Sequence, residues 1–174
     1  MKRLRAGIIG VSGYTGAELL KILLPHPHFE ITLLANSQGQ TNIEHIHPEF
    51  KGIFECEVKK ADPQEAIASC DIVFLALPHK SAMEFVKGLG ENLGGLKVVD
   101  LSADYRLSAQ NYEKFYCPHI DLHNLQGAVY GLPEYAKREI ANASLVANPG
   151  CYPTASLLGI LPFIAHLGDK SIFI

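Results

Sequence analysis

Short apolar runs and segments of helical period take turns along most of this chain. Leu4 to Ile9, Glu30 to Ala35, Asp71 to Leu77, Lys97 to Leu101 and Ala143 to Ala147 are too short for buried helices and read as strands. Ala17 to Leu24, Pro63 to Ser69, Ala82 to Leu89, Glu134 to Ile140 and Thr154 to Leu161 read as helices, the first stopped by Pro25 and the second opened by Asp62 as cap with Pro63 in its first turn. The run from Asp71 to Leu77 is almost continuously apolar, as befits a strand that a parallel sheet buries on both faces. Alternation of this kind predicts an α/β fold, a Rossmann-like doubly wound and mostly parallel sheet. Two stretches break the rhythm: residues 39–60 are irregular, and residues 102–129 carry polar loops in place of a clean helix and strand.

Composition narrows the class. A length of 174 residues gives room for one domain and the beginning of another, and a 48% hydrophobic content excludes a disordered chain. The net charge of −3 gives no reason to expect nucleic acid as a partner. No apolar run approaches the length of a membrane span, and the basic start Met1 to Arg5 leads into an apolar stretch too short for a signal peptide, so no membrane is expected. The four cysteines, Cys56, Cys70, Cys117 and Cys151, show no paired spacing, which suits a reducing cytoplasm.

Candidate chemistry gathers at the ends of the strands. Gly10, Gly13 and Gly16 lie between the first strand and the first helix in the spacing GxxGxxG; a phosphate-cradling turn at a helix N-terminus and an ordinary strand-to-helix turn both fit. The second strand closes a βαβ unit of about 30 residues. It runs into Asn36-Ser37-Gln38, where an NAD enzyme usually carries an acid for the ribose hydroxyls. No acid there repels a 2′-phosphate, and no Arg binds one, so the position leans towards NADP(H). Pro78-His79 and Ser102 follow the next two strands, on the edge where open α/β sheets bind ligands. Arg106 suits either a bidentate grip on a phosphate or carboxylate, or an ion pair with Asp104. His45 with His47, and Cys117 with His119 and His123, have loosely metal-like spacing without a completing ligand, and no metal is expected. Cys151, after Asn148-Pro149-Gly150, falls near the mouth of a helix whose free amides favour an anion: it is a nucleophile or, on the plainer reading, a small buried gap-filler.

Taken together, GVSGYTGAELL (Gly10–Leu20), LALPH (Leu75–His79), DLSADYRL (Asp100–Leu107), VYGLPE (Val129–Glu134) and ANPGCYPTA (Ala147–Ala155) resemble the N-acetyl-gamma-glutamyl-phosphate reductase family of arginine biosynthesis. The glycine turn is similar to that of aspartate-semialdehyde dehydrogenases as well; the combination of LSADYR with GCYPT is the specific part. The resemblance implies reversible NADPH-dependent reduction of a small-molecule acyl phosphate, N-acetyl-gamma-glutamyl phosphate, to the semialdehyde. Cys151 would attack the acyl carbonyl, expel phosphate and carry the thioester, and hydride from NADPH would yield a thiohemiacetal that collapses to the aldehyde. Gly10, Ser12, Gly13, Tyr14, Thr15 and Gly16 would form the cofactor turn, with Ser37, Pro78, His79 and Ser102 along the cofactor and Arg106 and Asn148 at the substrate.

Two departures stand against the family pattern. Gln38 takes the place of an Arg that commonly follows Ser37, and the family's catalytic His has no matching motif, His166 being the last imidazole. The chain therefore reads as an NAD(P)-binding domain over residues 1–150 with the start of a catalytic and dimerisation domain over 151–174, Ser171–Ile174 being its first strand. The fragment alone is expected to be inactive, and the full-length enzyme a homo-oligomer. A reductase of carrier-bound aminoadipyl phosphate and a noncatalytic nucleotide-binding module are the alternatives.

Overall fold

The computed structural model describes residues 2–167; the strand expected at 171–174 lies outside them. Eight strands form one sheet in the order β3-β4-β2-β1-β5-β6-β8-β7. They are β1 Leu4–Ile9, β2 Phe29–Asn36, β3 Thr41–Asn42, β4 Glu57–Lys60, β5 Ile72–Leu75, β6 Lys97–Asp100, β7 Val129–Tyr130 and β8 Leu145–Ala147. All neighbours run parallel except β3 and β4. The doubly wound architecture expected from the alternation is thus the one observed.

Side chains alternate across the sheet and enter two separate cores. Ile8 of β1, Leu34 of β2 and Val58 of β4 pack with Leu20 and Leu23 of α1 (Tyr14–Leu23) on one face. Ile9, Leu33, Ala35, Val73 and Leu75 pack on the other face with Ala66 of α3 (Pro63–Ser69) and with Met83, Phe85, Val86 and Leu89 of α4 (Ser81–Leu89). Each fully buried Leu or Ile contributes roughly 1.5–3 kcal/mol of burial free energy, so neither layer is dispensable. The first strand lies between β2 on one side and β5 on the other, where the winding reverses, and the chain opens a crevice there at the carboxyl edge.

Three departures from the pattern-based expectation have a local reason. Helix α1 starts at Tyr14, three residues early, because Gly13 is extended and already acts as its N-cap. Helix α8 (Cys151–Ile160) starts at Cys151 itself; Pro153 falls in its first turn, where the missing amide has no intrahelical partner to lose. Strand β4 sits inside the stretch that reads as irregular, because three of its four residues are charged and only Val58 is buried. Before it come α2 (Ile43–Ile46) and a 3₁₀ turn, Pro48–Phe50. The polar stretch after β6 holds α5 (Ala109–Phe115) and α6 (Leu122–Gly127), and α7 (Pro133–Asn142) and α9 (Ile164–Leu167) complete the described helices.

Candidate active site

The crevice at the β1/β5 switch point has a volume of about 660 Å³. Gly10, Ser12 and Gly13 line it on one side, Asn36 and Ser37 at the end of β2, and Ala76 to Pro78 with Ser81, Glu84 and Phe85 on the other. Backbone crowding makes glycine obligatory in the turn. Gly10 has φ +95, and a Cβ on it would lie 2.2 Å from the Ala76 carbonyl; a Cβ on Gly16 would lie 2.6 Å from the Gly10 carbonyl. The turn is held from outside as well: the Gly10 and Val11 amides donate to the Ala35 carbonyl, and His47 Nε2 donates to the Val11 carbonyl at 2.8 Å. His47, which resembles half of a metal pair in the sequence, is a brace for the glycine turn.

This arrangement leaves an anion site. Gly13 makes no side-chain cap, the first turn of α1 carries no acid, and the amides of Tyr14, Thr15 and Gly16 precede the first intrahelical bond, Ala17 N–H to the Gly13 carbonyl. Those donors fit a pyrophosphate group. The Tyr14 and Thr15 side chains point to solvent, so these residues would contribute their backbone. At the end of β2 the Asn36 side chain ties the rim together: its amide donates to Ser12 Oγ at 2.8 Å, and its carbonyl accepts from the Gln38 and Gly39 amides. The position that carries an acid in many NAD sites is thus a neutral, internally bonded amide.

The loops after β5 and β6 are locked to each other. Lys80 adopts φ 76, ψ −37, uncommon for a residue with a side chain, and its amide donates to Asp104 Oδ1. The second oxygen of Asp104 accepts from the Met83 amide, and Tyr112 donates its hydroxyl to the first. A fully buried carboxylate therefore caps α4 from another loop. His79 Nδ1 accepts the Ala103 amide, tying His79 to the same loop. Ser102 does not lie along the crevice: it is buried, donating to Asp100 and accepting from the Asp104 amide. Burial pushes the Asp100 carboxyl up to about 6, although the Ser102 amide and hydroxyl favour the ionised form. Burial, with Asp121 and Asp104 as respective partners, raises the Tyr105 and Tyr112 phenols, which remain donors.

Arg106 braces the backbone and does not form the ion pair with Asp104. Its Nε donates to the Asn148 carbonyl at 2.8 Å and its Nη2 to the Leu101 carbonyl at 2.7 Å, while Asp104 is engaged elsewhere. The Asn148 amide donates in turn to the Asp100 carbonyl, so the loop before Cys151 is gripped from two sides. Asn148 turns its own side-chain amide back onto the Pro149 carbonyl. Cys151 is the first residue of α8 and is exposed, which rules out the gap-filler reading; Cys70 is buried, and Cys56 and Cys117 are half-buried. Burial raises the Cys56 and Cys70 thiols. Glycine turn and thiol both follow the carboxyl ends of parallel strands and so share one edge of the sheet. His119 is buried, bonded to the Asp104 carbonyl and the Asp121 amide, and no cluster of metal-ligating side chains occurs among the described residues.

A family model described as "Semialdehyde dehydrogenase, NAD binding domain" matches residues 5–143. The chain belongs to this family. The semialdehyde dehydrogenase domain is most of the chain, and Cys151 lies just past the matched residues. An N-acetyl-gamma-glutamyl-phosphate reductase from Wolinella succinogenes is 57% identical over 100% of this chain and 51% of its own length. One from Sulfurimonas denitrificans is 56% identical over 94% of this chain and 48% of its own. The chain therefore spans about half the length of the curated relatives it matches. Among solved structures, aspartate semialdehyde dehydrogenase with NADP from Candida albicans shares the fold, with a TM-score of 0.69 at 19% identity over 97% of this chain and 48% of its own. The family description supports a nicotinamide cofactor for this domain, and the acid-free amide cluster at α1 fits one.

Proposed function

We propose that this chain is the cofactor-binding portion of an N-acetyl-gamma-glutamyl-phosphate reductase that uses NADPH and a Cys151 thioester. The supporting observation is the placement of an uncapped helix N-terminus and an exposed helix-terminal thiol on one edge of one sheet. The α1 amides and the Ser12, Asn36 and Ser37 rim hold the pyrophosphate and ribose, and the wall formed by Ala76 to Pro78 orients the rest of the cofactor along the crevice. Bound there, NADPH supplies hydride. Cys151 attacks the acyl carbonyl, phosphate leaves with the bonding pair, and the resulting thioester is a better hydride acceptor than a carboxylate. Return of the electron pair to sulfur then releases the aldehyde.

Two measurements test the reading. Fluorescence titration is expected to show NADPH bound in preference to NADH; equal affinity, or preference for NADH, overturns the assignment. Iodoacetamide at neutral pH is expected to label Cys151 before Cys56, Cys70 and Cys117, since Cys151 is the exposed one and burial raises the Cys56 and Cys70 thiols. Labelling of Cys151 no faster than of the other three removes the nucleophile. Among the described residues no imidazole is hydrogen-bonded to the Cys151 sulfur, and general acid–base catalysis is typically worth about 10²- to 10⁴-fold. The 174-residue chain supplied with N-acetylglutamate semialdehyde, phosphate and NADP is therefore expected to give no sustained turnover, and substantial turnover would require another base.

A further inference from the structure

The nucleotide crevice has no arginine at the end of β2, but the neighbouring strand brings a cation there. Asn36, the last residue of β2, is the register partner of Lys60, the last residue of β4, and the Ala61 amide donates to the Asn36 carbonyl at 2.7 Å. Side chains of β4 alternate. Val58 enters the core beside α1, while Lys59 points to the opposite face and pairs with Glu65 of α3 at 2.6 Å. Lys60 follows Val58, and Asn36 follows Leu34 of the same core, so Lys60 and Asn36 share a face as directly paired neighbours. Cβ atoms of such neighbours are about 5 Å apart, well within the reach of a lysine side chain.

The loop after β2 is shaped around this lysine. Gly39 has φ +71, and a Cβ on it would lie 2.4 Å from the Lys60 amide nitrogen, so the chain at Gly39 passes directly over the Lys60 backbone. Ser37 and Ala61, flanking the Asn36–Lys60 pair, both line the crevice. Lys60 is exposed and forms no salt bridge among the described residues, in contrast to Lys59. We propose that Lys60 is the specificity-determining cation of this site, its ammonium pairing with the 2′-phosphate of NADP beside Ser37. The inference rests on the crevice being a nicotinamide-nucleotide site. It accounts for NADP selectivity arising from the adjacent strand, where reading residues 36–38 alone leaves only the absence of repulsion.

The test is a titration of the 174-residue protein with NADPH, NADH and 2′,5′-ADP. Lys60→Met is expected to weaken NADPH and 2′,5′-ADP by about ten-fold, the scale of one charge-assisted contact, while leaving NADH unchanged. Lys60→Arg is expected to restore NADPH binding. Lys59→Met, which removes the lysine on the opposite face, is expected to leave the NADPH to NADH ratio unaltered. Added salt should erode the wild-type preference and leave the Lys60→Met ratio flat. Equal weakening of NADPH and NADH in Lys60→Met, or no change in either, overturns the role of Lys60. Failure of the wild-type protein to bind any of the three ligands overturns the nucleotide site itself, a separate result.

Discussion

At the scale of single residues, the buried carboxylates bear most directly on stability. Asp100 is fully buried, and its carboxyl is raised from 3.8 to about 6, so the folded protein holds that proton more tightly than the unfolded chain does. The cost of this group is therefore present above pH 6 and is relieved as pH falls from about 6 towards 4. Asp100→Asn keeps an acceptor for the Ser102 amide and removes the buried charge. It is expected to be more stable than wild type by about 1–3 kcal/mol at pH 8, with the difference shrinking towards pH 5. Urea denaturation across that range measures it, and a difference independent of pH would contradict the assignment. Asp100 gives no such signal in the sequence, where it is the ordinary polar end of an apolar strand; the shift arises from residues that cover it. Gly10, Gly13, Gly16 and Cys151 are legible, because a crowded turn and a helix-terminal thiol leave local marks in residue type and spacing. The backbone grip of Arg106 is not legible, since two carbonyls that attract a guanidinium have no signature in sequence.

At the scale of elements, one loop sets the positions of two others. Residues 100–106 cap α4 through Asp104 and anchor the turn before α8 through Arg106. The two contacts separate by substitution. Asp104→Asn places an amide against a donor N–H in a buried site, which should destabilise the protein by about 1–3 kcal/mol and weaken NADPH binding, because Ser81, Glu84 and Phe85 of α4 wall the crevice. Arg106→Lys keeps the charge but lacks the planar fork that reaches both carbonyls. It is expected to slow Cys151 alkylation by roughly two- to five-fold, the worth of a helix-terminus interaction, with NADPH affinity intact. Wild-type alkylation in Arg106→Lys would show that charge alone suffices. Gly150→Ala approaches the same contact from the other side, since its Cβ would lie 3.0 Å from Arg106 Nη1. The long strands and helices were legible because their periodicity is set by burial. β4 was not, because in Glu57-Val58-Lys59-Lys60 pairing with β2 outweighs a composition that reads as loop.

At the scale of the whole molecule, the described chain is a cofactor-type domain followed by a helix that contributes no buried residue to it. Tyr152, Leu158, Phe163 and Ile164 are exposed along α8 and the segment after it and form an apolar surface. Sedimentation velocity is expected to show concentration-dependent self-association that Leu158→Glu with Phe163→Glu abolishes; a monomer at all concentrations would contradict this. The sheet itself is protected against the same kind of encounter. At each margin stands a strand of only two residues, Thr41–Asn42 at one and Val129–Tyr130 at the other. The outermost strands offer a foreign strand only two residues each to pair with, and at the first margin Thr41 and Asn42 run antiparallel to the rest. The eight-stranded array thus ends in stubs that offer little template for cross-β growth.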